Sequence, residues 1–203
     1  MESAMPLSLN TQDTHWRIHE LVWGGFHALD DIEAIITDEY LDPDDLNADD
    51  LVWVKSEVAQ ATAAKRAMEA EWSNPTEYDR LEKVFQALRV EHFIALHCAG
   101  NTNQEGKDDA REVWKAAGGP GSGLLGYCFY HSQDVDRAVD TGHLYLSFSG
   151  IGPTPQARDE HTLLLSRRLI ELLREAGFAT HWSGSIEERI DIDLGQWRKR
   201  SPQ

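Results

Sequence analysis

From Thr14 onward the apolar residues Ile18, Leu21, Val22 and Phe26 recur every three or four positions, the spacing of one helix face. Gly24-Gly25 weakens the end of that helix, and the first ten residues or so are expected to fray. "LDDIEAIITDEYL" predicts a second helix, with Ile32, Ile35 and Ile36 on one side and carboxylates opposite. Asp30 or Asp31 can cap its first amides, and acids suit that positive dipole end. "DPDDLNADD" reads as a turn, because Pro43 biases Asp42 away from helical conformation. A long helix should then begin near Asp49. Leu51, Val54, Val58, Ala61, Lys65, Met68 and Trp72 share one of its faces, with Lys65 snorkelling at the edge. "SNP" stops it, and "TEYD" opens another helix in which Thr76 caps and Asp79 completes a capping box. Tyr78, Leu81, Val84, Phe85 and Leu88 form the apolar face of that helix.

The period then changes. "HFIALHC" (92–98), "GYCFYH" (126–131), "HLYLSFS" (143–149), "FATHW" (178–182) and "RIDID" (189–193) are short aromatic or β-branched runs of strand length. Helical stretches lie between the first four: "KDDAREVWKAAG", "SQDVDRAVDTG" ending at Gly142, and about Arg158 to Ala176 ending at Gly177. "SGSIEE" reads as the hairpin joining the last two strands. The expected class is α+β: an N-terminal helical segment packed on a mixed, largely antiparallel five-stranded sheet with interspersed helices. Residues 1–75 would form the acidic helical segment and residues 76–203 the sheet domain, joined as one compact unit.

Charge sharpens this division. The chain of 203 residues has a formal charge of −16, and residues 1–75 hold 16 Asp/Glu against 4 Lys/Arg. Asp30 to Asp50 contains ten acidic residues and no basic one. Such a surface repels nucleic acid and anionic lipid, and attracts a basic protein. No apolar run approaches the ~20 residues that span a bilayer. The start, "MESAMPLSLNTQDTHW", lacks the pattern of a cleaved secretion signal, so a cytoplasmic location is expected. Cys98 and Cys128 lie in apolar runs and read as buried reduced thiols.

Candidate chemistry is sparse. In "GYCFYHSQDVDRAV", strand alternation puts Tyr127, Phe129 and His131 on one face and Cys128 and Tyr130 on the other. His131, Asp134 and Asp136 are metal-ligand types, but carboxylates at a helix start serve capping first. In "HCAGNTNQEG" (97–106), His97 and Cys98 point to opposite faces, and the Asn and Gly residues suit a hydrogen-bonded loop. Asp191 and Asp193 share a strand face, where an edge strand uses charge to resist aggregation. "WRKR" near the C-terminus is expected to pair with the acidic half. Nucleophile-elbow, Walker A, dinucleotide and zinc-protease motifs are missing, so neither a cofactor nor a metal is expected.

"HFIALHCAGNTNQEGKDD", "GYCFYHSQDVDRAV", "HLYLSFSG" and "AGFATHWSGSIEERIDI…W" together resemble an uncharacterised bacterial family, classed as a domain of unknown function. Its members look like A-L-x-x-A-G-x-T-x-x-x-G, then G-Y-x-F-Y-H-x-Q-D-x-x-R-A-V, then a terminal hairpin ending in W-R-x-R. The likeness covers roughly residues 76 to 200 and is weaker upstream. It implies no particular activity and carries no catalytic residues.

The leading expectation is a non-enzymatic acidic binding protein that neutralises a basic partner, such as a bacterial toxin or a nuclease. Its contact residues would be Asp38, Glu39, Asp42, Asp44, Asp45, Asp49 and Asp50, with Tyr40 and Trp53 as aromatic anchors. The alternative is a small-ligand binder or enzyme with a polar pocket formed by His97, Asn101, Asn103, Tyr130, His131 and Asp134. The chain would be a monomer, or a homodimer through the Leu51-to-Trp72 stripe, although packing on its own sheet is the simpler use of that stripe.

Overall fold

The N-terminal apolar pattern produces three helices, the first and third of which start on an asparagine cap. The computed structural model describes residues 7–202, and the expectation of fraying falls partly on residues 1–6, outside them. The chain divides into two compact units, Met1–Asn74 with Arg198–Gln203, and Pro75–Trp197.

In the first unit, α1 (Thr11–Gly24) starts where the Asn10 side chain accepts from the amides of Gln12 and Asp13, and stops at Gly25 with φ of 76°. The second predicted helix is shorter than its pattern. After α2 (Leu29–Ala34) the backbone widens into a π-helical turn over Ile35–Tyr40, closed by a Leu41 N–H donating to the Ile36 carbonyl. Asp42 then caps a 3₁₀ turn over Pro43–Asp45, the extended residue before proline that the sequence predicts.

The long helix α3 (Ala48–Glu69) opens on a capping box: Asn47 accepts from the amides of Asp49 and Asp50, and the Asp50 carboxylate accepts from the Asn47 amide. Asp50 also accepts from the Ser8 amide at 2.9 Å and from the Ser8 hydroxyl, so Ser8 is anchored rather than frayed. Val54 and Val58 join Ile18, Leu21, Val22, Ile32 and Ile36 in one apolar cluster. The stripe is therefore covered by α1 and α2, and its buried line departs from the expected one in part: Leu51 and Met68 are exposed, while Asp50 and Thr62 are buried beside Val54, Val58 and Lys65. Lys65 does not snorkel. Its ammonium is fully enclosed, donates to the Val22 carbonyl and pairs with Glu69 at 3.5 Å. The C-terminal cations go partly to backbone, Lys199 donating to the Gly25 carbonyl and lying 4.6 Å from the Phe26 ring centre.

The second unit begins with α4 (Glu77–Val90), capped by the predicted Thr76–Asp79 box. It continues through β1 (Phe93–Leu96), α5 (Asn103–Ala116), β2 (Gly126–Phe129), α6 (Ser132–Thr141), β3 (His143–Gly150), α7 (Pro155–Glu175), β4 (Ala179–His181) and β5 (Ile190–Asp193). The strand order is β1-β2-β3-β5-β4, with β1 and β2 parallel and the remaining pairs antiparallel. This is the expected α+β mixed sheet. Cys128, Leu144, Leu146, Phe148, Ile190 and Ile192 bury one face under α4 and α7.

Two local expectations change. Residues 97–106 are not all loop, because Thr102 caps α5 from its side-chain oxygen and the helix starts at Asn103. Strand β5 is not an edge; it lies between β3 and β4, and Asp191 meets His143 at 3.0 Å. Among the described residues no helix is long and apolar enough to cross a membrane.

Candidate functional site

The second face of the sheet is where polar chemistry collects. The β2–β3 register sets Tyr127 opposite Ser149 and Phe129 opposite Ser147, all directed to this face. Helix α5 descends onto it because residue 106 is glycine: a Cβ there would sit 2.2 Å from the Phe129 ring. At the end of β3, Gly150 belongs to the other face with Phe148 and lets the start of α7 come equally close, since its Cβ would meet the Arg158 carbonyl at 2.2 Å. Between α5 and the first turns of α7 a trough remains at β2 and β3.

The trough has two lobes, of about 320 Å³ and 430 Å³, which share Lys107, Tyr127, Ser149 and Arg158. The smaller lobe adds Asn103, Ser147, Asp159 and the hairpin residues Glu187, Glu188 and Arg189. The larger adds Gln104, Arg111, Trp114 and Ile151 and has no acidic residue in its wall. The side chains of Lys107 and Arg158 have no hydrogen-bond or ion-pair partner among the described residues. Burial pushes the Tyr127 phenol up, opposed by its hydrogen bond with Ser149.

Behind the smaller lobe Arg189 is held rigidly. It donates to Asp134 and to the Tyr145 carbonyl, and His131 Nε2 lies 3.2 Å from the same Asp134 oxygen. Asp134 also accepts from the His131 amide at 3.1 Å, which makes it the cap of α6 as well as the arginine's anchor. Burial lowers the pKa of His131 despite Asp134, and Arg189 adds to that lowering. The metal reading of this segment is not supported: among the described residues no three His, Cys, Asp or Glu side chains gather to hold an ion.

The residues expected to line one pocket are divided. His97 and Tyr130 bond each other at 2.6 Å, and His97 Nε2 bonds Glu82. A carboxylate only accepts, so Nε2 carries the proton and Nδ1 accepts from the tyrosine hydroxyl. This chain has the order of a hydroxyl–imidazole–acid relay, but Tyr130 is 0% exposed and so is closed to any substrate. Asn101 is exposed and accepts from the Ser132 hydroxyl. His131 and Asp134 support Arg189 from beneath. Of the six, Asn103 alone is in the trough wall, where it accepts from Ser147 at 3.0 Å. Lys107, Trp114, Arg158 and Arg189 were not singled out by sequence. Serines alternating with apolar residues in "HLYLSFS" were the available signal of a polar sheet face.

In the helical unit, Asp38, Glu39, Asp42, Asp44 and Asp45 are exposed and form no ion pair among the described residues, and Tyr40 is 44% exposed. Asp49 is half-buried. Asp50 departs from the expectation of a contact residue, because its carboxylate is enclosed at the capping box. Burial would raise its pKa, but the Ser8 and Asn47 hydrogen bonds outweigh that and hold it below the ordinary carboxylate value. Trp53 is half-buried against the helical core and is not an open anchor.

Residues 8–201 match the family model described as "Domain of unknown function (DUF6891)", so the match extends through the helical unit as well as the sheet. No curated protein and no solved structure matches the chain. The chain belongs to the DUF6891 family.

Proposed function

We propose that this DUF6891 member is a binding protein whose helical unit engages a basic protein, of the kind exemplified by a toxin or a nuclease. One observation carries the reading: five carboxylates of the π-helical and 3₁₀ segment, Asp38, Glu39, Asp42, Asp44 and Asp45, stand exposed beside the exposed Tyr40 and form no ion pair among the described residues. Tyr40 shares a shallow trough of about 550 Å³ with Trp16, which is 53% exposed, and with Asp13 and Glu20. Glu20 is paired with Arg17 in the same wall, so the open negative charge near these aromatic anchors is that of Asp13 and the carboxylates of residues 38–45. That arrangement suits a partner that presents lysines and arginines around an apolar spot. The irregular backbone supports this use, since π-helical turns recur at functional positions.

The test is affinity capture from the native cell extract, with Asp42→Lys/Asp44→Lys/Asp45→Lys as the comparison bait. A basic protein retained by the wild type, released at 0.5 M salt (~4 Å Debye length) and lost with the triple variant is the expected result. Equal retention by both baits removes the reading.

A further inference from the structure

The larger lobe of the sheet trough opposes the charge of the chain around it. Three cations, Lys107, Arg111 and Arg158, line it without an acidic neighbour in the wall, in a protein of formal charge −16. Arg111 has only a 3.7 Å contact to Asp108 on the same helix, and the other two side chains are unpaired among the described residues. Cations converging on one concavity repel each other, and a dianion relieves all of those repulsions together. Trp114 and Tyr127 stand in the same wall, and Tyr127 is held against Phe129 with ring centres 6.1 Å apart. They present flat apolar surface to a ring. At the other end the smaller lobe offers Glu187, Glu188 and Asp159, acceptors suited to hydroxyl or amino groups and unsuited to a second phosphate.

We infer that this trough binds a small organophosphate bearing a flat ring, of the nucleoside monophosphate class. The phosphate lies between Lys107, Arg111 and Arg158, the ring lies against Tyr127 and Trp114, and the neutral polar groups face Glu187 and Glu188. The dimensions agree, because the two lobes fall in the range of roughly 300–1,000 Å³ typical of small-molecule clefts. A long polyanion does not fit the same description, since the hairpin carboxylates close one end of the cationic run. The inference is independent of the helical unit's partner.

The full chain is titrated calorimetrically with AMP, GMP, CMP and UMP separately, at physiological salt. Adenosine, inorganic phosphate and phenylacetate are the comparison ligands. At least one nucleotide is expected to bind ~10-fold or more tightly than the nucleoside or phosphate alone, because ring and charge both contribute. Phenylacetate, with a ring and a single charge, is expected to bind more weakly than that nucleotide. Lys107→Ala/Arg158→Ala should weaken the nucleotide by ~10-fold or more. Both side chains are exposed and bond to nothing internal, so thermal melting of this variant should match the wild type. Asp44→Lys, in the other unit, should leave nucleotide binding unchanged. Failure of all four nucleotides, tighter binding of phenylacetate, or unchanged affinity in the double variant overturns the assignment.

Discussion

The Lys65 ammonium donates to the carbonyl oxygen of Val22, 43 positions earlier in the chain, at 3.0 Å and out of reach of solvent. Burial pushes its pKa down from 10.5 to about 8, although Glu69 works in the opposite direction. Between pH 8 and 10.5 the unfolded chain holds a proton that the native lysine has shed, so folding stability rises with pH across that window. Below pH 8 both states are charged and the burial penalty is constant. Urea unfolding of wild type and Lys65→Met at pH 7, 8, 9 and 10 should show the wild type gaining on the variant from pH 8 upward. A gap independent of pH would contradict the buried cation.

The fully buried Tyr130 and the half-buried His97 form a second polar pair. Tyr130→Phe leaves the imidazole acceptor without its donor, a loss of about 1–3 kcal/mol. Because the relay is structural, the cost should appear in unfolding free energy. A double-mutant cycle with His97→Leu should give a coupling above ~0.5 kcal/mol, the level seen for residues in one network. Additive single effects would show that the contact contributes nothing specific.

Gly106→Ala places a methyl group 2.2 Å from the Phe129 ring, and neither the helix nor the strand can yield freely. Overpacking of this kind costs about 1–3 kcal/mol. Adding Phe129→Leu should recover part of the loss by making room. The paired melts check this, and a second substitution that only adds to the destabilisation would place the strain elsewhere.

Both cysteines are free thiols, but they should react unequally. Cys128 is fully buried and desolvation pushes its pKa up to about 12, which suppresses the reactive thiolate. Native protein treated with a thiol reagent should label Cys98, which is half-buried, well before Cys128, and denaturation should expose both. Mass spectrometry of the labelled peptides reads the order directly.

Elements whose cause lies within a few residues were legible in the chain. The Thr76–Asp79 box, the extended Asp42 before Pro43, the Gly142 and Gly177 stops and the five strand segments are all short-range events, settled by spacing, capping and glycine conformations. So was the clustering of carboxylates in the helical half, since charge along the chain is read without knowing the fold. Which carboxylate stays exposed was not. Asp44 and Asp50 are alike in sequence context, yet one faces solvent and the other is claimed by Asn47 and by Ser8, 42 residues distant.

The trough belongs wholly to tertiary structure. Lys107, Tyr127, Arg158 and Arg189 come from a helix, a strand, a second helix and a hairpin, and no spacing along the chain relates them. They meet because β3 pairs with both β2 and β5, and because Gly106 and Gly150 let α5 and α7 approach the same sheet. Periodicity tells which side of a strand a residue faces, but strand order and register decide what it faces. That is why β5 became an interior strand, and why Asn103 was the one member of the predicted pocket to reach the trough.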